Sequence, residues 1–263
     1  MHACALTLVA LAGVFFCGAG YRRWRGLARR ESGPWAKLAS VWVGLALLTA
    51  GLICSYIDNE HIVFRFGVLT SWSAIVAIVF INRYLALPSR GLLVLPVGGM
   101  ALLVALTGLT PPDPVVAATE RGLLLKTHIS IMVFHLAAML IAGGAGVLYL
   151  IAARKLKTSV SAALQLPKLP VLERLCERAL VVATALLIGG LVTGGAAMRT
   201  SDRFTGTSLP VLIAMLSMAV LVVILALRLA GRLNRSRLAW SAQIALVLAA
   251  LSILSVVAGH YVG

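Results

Sequence analysis

Eight uninterrupted apolar runs, each about as long as a bilayer core is thick, constrain this chain more than any motif it carries. They lie at 3–20, 38–57, 67–87, 92–110, 123–153, 179–198, 208–230 and 239–262, and Pro, Gly, Asn or charged residues break the sequence between them. A helix needs about 20 apolar residues to cross the hydrocarbon core, and the runs therefore predict an all-α, polytopic membrane helix bundle with about eight transmembrane helices. Composition points the same way. The 263 residues are 61% apolar and 12% charged, whereas a soluble domain holds about 45–50% and about 25% respectively. A single water-soluble globule of this size is excluded, little is left for a separate soluble part, and residues 1–263 read as one transmembrane domain.

The charges predict an orientation. The connections at 21–37, 82–91, 154–178 and 228–238 hold 18 of the 23 Lys and Arg residues, and the alternate set holds Arg65, Arg121, Lys126, Arg199 and Arg203 beside Asp58, Glu60, Asp113, Glu120 and Asp202. By the positive-inside rule the cation-rich set faces the cytoplasm, and with an even number of spans both termini lie outside. The first run has no basic leader before it, and Arg22, Arg23, Arg25, Arg29 and Arg30 follow it; it is expected to be a retained helix rather than a cleaved signal. The formal charge of +15 then reports topology and contact with anionic membrane lipids, and no nucleic-acid partner is expected.

Glycines cluster inside the fifth and sixth runs, with Gly143, Gly144 and Gly146 in one and Gly189, Gly190, Gly194 and Gly195 in the other. Gly190 and Gly194 have the GxxxG spacing that lets helix backbones approach, and they are read as packing. In the longest connection, LPKLPVLERLCER has apolar residues at helical spacing with charges between them. It is expected to form a short amphipathic helix lying on the cytoplasmic interface. The absence of an internal repeat argues against a transporter built from inverted halves.

Chemistry-bearing residues are few. Cys4, Cys17, Cys54 and Cys176 form neither CxxC nor CxxCH, so the chain has no thioredoxin-like dithiol and attaches no haem covalently to itself. Cys4 and Cys54 fall toward the same membrane face, where they can pair, with no cysteine framework around them. There is no Walker loop, HExxH, GxSxG or acidic run within a helix, which leaves a proton pump or intramembrane hydrolase without a visible catalytic group.

Histidine remains. His61, His128 and His260 lie at or near the outer ends of runs three, five and eight, His2 is near the chain start, and His135 lies seven residues deeper than His128. Seven residues along a helix is about 10 Å, too far for His128 and His135 to hold one ion together. An imidazole in lipid needs a partner. One reading is an axial ligand of haem iron, with His128 and His260 as the pair from different helices and His61 as a third candidate. The other is an interhelical hydrogen bond, worth about 0.6 kcal/mol on average.

The segment LLLKTHISIMVFHLAAMLIAGGAGVLYLIAARKLK, followed by LPVLERLCERALVVATALLIGGLVTGGAAM, resembles the cytochrome c assembly family of haem-handling membrane proteins. Within that family the YpjD-like and HemX-like branch is the most similar, on the length, the eight spans, RFGVLTSWSAIV and GRLNRSRLAWSAQIALVL. The resemblance covers nearly the whole chain. It implies a haem-binding protein of the bacterial inner (plasma) membrane that carries non-covalent b-type haem and assists cytochrome c assembly or haem handling at the outer face, without turnover of its own. The family's two outer-face histidines have their counterparts here in His128, within THISIMVFH, and His260, within GHYVG. Arg65, Lys126, Arg199 and Arg203 are then candidates to pair haem propionates, alongside the alternative that they pair with the outer acids. Haem, membrane lipids, other cytochrome c assembly proteins and an apocytochrome are the implied partners. Where the family has its tryptophan-rich WWD loop, this chain has RTSDRFTGT, with no tryptophan, and it also lacks a further family histidine at the end of the seventh run, which reads LALRLAGRL. A small-molecule or lipid permease, and a scaffold that regulates a partner enzyme without haem, are the competing readings.

Overall fold

The computed structural model describes residues 2–29, 35–57, 62–85, 94–107, 123–158, 168–199 and 209–262. Eight helices lie among them: α1 (His2–Arg29), α2 (Trp35–Ile57), α3 (Ile62–Leu85), α4 (Val94–Thr107), α5 (Leu123–Thr158), α6 (Leu169–Arg199), α7 (Leu209–Leu229) and α8 (Arg235–Val262). No strand occurs among the described residues. Five segments are long and apolar enough to cross a membrane, namely His2–Arg22, Ser40–Ile57, Thr127–Thr158, Leu169–Ala196 and Val211–Leu229. The chain is thus an all-α, multi-pass membrane protein. Its outward side chains agree, because α7 exposes Leu212, Met215, Leu216, Val222 and Val223, a surface that water would penalise and lipid does not.

Hydroxyl-bearing residues tolerate this setting by turning inward on their own helices. Thr49, Thr70, Thr184 and Ser217 each donate to the carbonyl four residues back, at 2.8, 2.8, 2.8 and 2.9 Å. A bare hydroxyl in hydrocarbon costs several kcal/mol, on the order of 2–7, and this local bond removes most of that cost.

The chain divides into two compact units, one of Met1–Ala118 with Leu148–Leu172 and the other of Thr119–Val147 with Glu173–Gly263. In the first, α1 packs against α2 and α4, and α3 packs against both of those helices. Ala5, Val9, Ala12 and Phe16 form the fully buried stripe of α1, at the three- and four-residue spacing of one helix face. Trp72 Nε1 of α3 donates to Thr49 Oγ1 of α2 at 3.0 Å, so the one polar edge of that indole is satisfied between helices.

In the second unit α7 and α8 form an antiparallel hairpin. Gly231 takes φ +68°, while Arg232 N–H donates to Leu227 C=O at 3.0 Å and Gly231 N–H to Arg228 C=O at 3.0 Å. This pair of bonds is a Schellman stop, which needs a residue that enters the left-handed region without penalty. The N-terminal part of α6 departs from its expected placement. LPKLPVLERLCER does not make a separate interfacial helix; from Leu169 onward it is the continuous first part of α6. Leu172, Cys176 and Glu173 are buried there. The physical reason is an ion network: Arg228 Nη2 binds Glu173 Oε1 at 2.7 Å and Glu177 Oε2 at 2.9 Å, and Arg235 Nε binds Glu173 Oε2 at 3.1 Å. The two glutamates, four residues apart, therefore face the end of α7 and the start of α8 rather than open solvent.

Candidate functional site

The site is built on the first turns of α5 and the last turns of α6, which run antiparallel. Ile131 of α5 lies against Gly189 and Gly190 of α6, and Met132 against Gly190. His128 lies one turn toward the start of α5 from Met132, and it meets α6 one turn further on, at Gly194. A Cβ placed on Gly194 would stand 2.8 Å from His128 Cε1 and 2.9 Å from Nδ1. Glycine at 194 thus makes the space in which the imidazole lies against the neighbouring helix. The GxxxG pair does pack helices, as its spacing predicts, and what Gly194 admits is the ring of His128.

The hydrogen bonding sets the ring's tautomer. His128 Nδ1 lies 2.7 Å from Gly190 C=O, and a carbonyl only accepts, so Nδ1 carries the proton. In the neutral ring Nε2 is then the nitrogen with the lone pair. A backbone carbonyl holding one imidazole N–H is the arrangement that fixes ring orientation and raises basicity in metal-ligating histidines. His128 is half-buried, so the ring is both positioned and accessible.

His135 repeats the bond at depth. Its Nδ1 donates to Ala183 C=O at 2.8 Å, and the residue is 2% exposed. Seven residues forward on α5 thus correspond to seven residues back on α6. His135 is a satisfied core histidine of this interface, separate from the level of His128.

The third helix of the site is α8. Gly143 of α5 lies against Leu246, Gly146 lies against Gln243, and Gln243 Nε2 donates to Gly143 C=O at 2.8 Å. These pairs define an antiparallel register in which each step toward the start of α5 is a step toward the end of α8. The start of α5, with His128, and the end of α8, with His260, therefore point toward the same end of the second unit; the His260 side chain itself lies outside the described residues.

The remaining sequence candidates separate. Arg65, in the first unit, donates from Nε to Ser55 C=O at 3.1 Å, and its guanidinium lies 5.0 Å over the Tyr56 ring. Lys126 is in the first turn of α5 and Arg199 closes α6, but their side chains, together with His61 and Arg203, lie outside the described residues. Among the described residues no three of His, Cys, Asp or Glu converge as a metal-holding group. A protein-only tetrahedral centre needs three or four such ligands; haem needs one or two axial ones, because the porphyrin supplies the rest.

Three features went unread in the sequence. The seat at Gly194 and the Gln243 clamp depend on cross-helix register, which no single helix displays. The Glu173–Glu177–Arg228–Arg235 network did leave a signal, the i, i+4 glutamates of ERLCER, although the partners lie more than fifty residues away. Comparison with protein-family models, with curated proteins and with solved structures finds no match to this chain.

Proposed function

We propose that this protein is a haem-binding integral membrane protein that assists cytochrome c assembly or haem handling at the outer face of the bacterial inner membrane. The reading includes eight membrane spans with both termini outside. The observation that carries it is the seating of His128, an imidazole with its Nδ1–H committed to Gly190 C=O, its ring lodged over Gly194 and its Nε2 lone pair left for a ligand. The antiparallel packing of α8 on α5 supports His260 as the second axial ligand. Non-covalent b-type haem held by these imidazoles supplies a redox-active iron whose potential is set by its axial ligands and surroundings. The protein's own residues orient the imidazoles and, from the same unit as His128, offer Lys126, Arg199 and Arg203 to the propionates. Other cytochrome c assembly proteins or an apocytochrome are the proposed partners, together with membrane lipids. The resemblance to the cytochrome c assembly family supports the same reading, while RTSDRFTGT in place of a tryptophan-rich loop favours holding haem over presenting it to an acceptor.

A second reading has support of its own. His128 and His135 both make interhelical bonds to α6, which is what a haem-free scaffold requires. A spectrum separates the two. Protein purified from haem-replete cells is expected to show a Soret band and a low-spin, bis-histidine b-type spectrum on reduction; failure to bind haem even after supplementation favours the scaffold.

A further inference from the structure

A second feature of chemical interest lies in the first unit, between α1 and α2. Gly51 of α2 faces α1 so closely that a Cβ on it would stand 2.9 Å from Val9 Cγ2 and 3.5 Å from both Leu8 Cβ and Ala5 C=O. Seven residues earlier, Gly44 faces Phe16 in the same way, so the helices are antiparallel and stay in contact over that length. Stepping one turn beyond Gly51 along α2, and correspondingly back along α1, brings Cys54 to Cys4. Both are free thiols, close enough for their side chains to interact. Cys4 is exposed and Cys54 half-exposed, whereas Cys176 is buried.

We propose that Cys4 and Cys54 form a disulfide that joins α1 to α2 at the membrane face carrying the start of α1 and the end of α2. A disulfide needs Cα atoms about 4.4–6.8 Å apart, and the close approach at Gly51, one turn away, draws the two backbones together there. Compartment suits it as well. The cation count assigns this face to the outside, where disulfides persist. Chemically, the more exposed Cys4 thiolate attacks a protein or small-molecule disulfide and forms a mixed disulfide, expelling one thiol. Cys54 then attacks Cys4 Sγ and expels the second thiol. The two cysteines lose two protons and two electrons, and the oxidant disulfide leaves as two thiols. Cys17 and Cys176 stay reduced.

The test uses full-length protein in its native membrane. The membranes are denatured in excess N-ethylmaleimide so that every free thiol, the buried Cys176 included, is blocked; the protein is then reduced, and newly released thiols are labelled with a maleimide polymer that retards migration. The wild type is expected to take up two labels, and none if the reduction step is omitted. Cys4→Ser and Cys54→Ser are each expected to take up none, while Cys17→Ser with Cys176→Ser keeps both. Intact mass should fall by two hydrogens relative to the reduced chain. An unlabelled wild type, or labels that persist in either single Ser variant, would overturn the assignment. The readout is independent of haem, so its failure leaves the proposed function standing.

Discussion

His128 and His135 share one face of α5 and make the same bond to the backbone of α6, yet they predict opposite consequences. His128 is half-buried and rests over Gly194; His135 is 2% exposed and ends on Ala183 C=O. Gly194→Ala drives a methyl to within 2.8 Å of the ring carbon, an overpacking that costs about 1–3 kcal/mol and displaces the imidazole. Haem occupancy of that variant, measured as the pyridine haemochrome per protein, is expected to fall several-fold while the protein still extracts as a folded species. Gly190→Ala meets the flexible Met132 side chain instead, with Sδ nearest, and is expected to lose less. His135→Ala removes an interhelical bond worth about 0.6 kcal/mol on average and leaves a small void. It should lower the melting temperature in detergent and leave the haem spectrum unchanged. The seven-residue spacing was legible in the sequence, and in the structure His135 is the more buried of the two. The sequence did not show the role of Gly194, because a glycine's neighbour on another helix depends on register.

Among the elements, α6 shows how a charged segment becomes part of a membrane-spanning helix. Its first turns carry Glu173 and Glu177, which a reading of the isolated segment assigns to an aqueous interface. Arg228 and Arg235 hold both carboxylates instead, and the helix continues without a break. The Glu173 side chain is 9% exposed and that of Glu177 36%, so the two should differ in consequence. Arg228→Ala leaves a buried carboxylate without its main partner, at a cost of about 3 kcal/mol. Glu177→Ala removes a more solvated partner and should cost less than about 1 kcal/mol. Denaturant unfolding of the purified variants in one detergent checks the order; equal losses would mean that Glu173 is solvated. The pattern of i, i+4 glutamates was legible in the sequence, but their cations lie across two helix ends, and amphipathic periodicity by itself does not distinguish an interfacial helix from one docked by ion pairs.

For the molecule as a whole, the apolar runs and the helices coincide: each of the eight runs overlaps one of the eight described helices. That agreement follows from the bilayer, which demands length and apolarity and so writes itself into composition, whereas cross-helix pairing leaves no such trace. Five segments meet the length and apolarity of a span, and eight spans with both termini outside is the proposed count. A reporter fused after Gly263 is expected to be active only outside the cytoplasm. Activity restricted to the cytoplasm would reverse the assignment of sides.

Axial ligation by His128 and His260 is read out in the reduced-minus-oxidised spectrum of the single and double alanine variants. Each single variant is expected to lose haem or to pass from six-coordinate low-spin to five-coordinate, with partial recovery on adding imidazole, and the double variant to bind none. A double variant that binds haem with the spectrum of the parent would contradict the assignment.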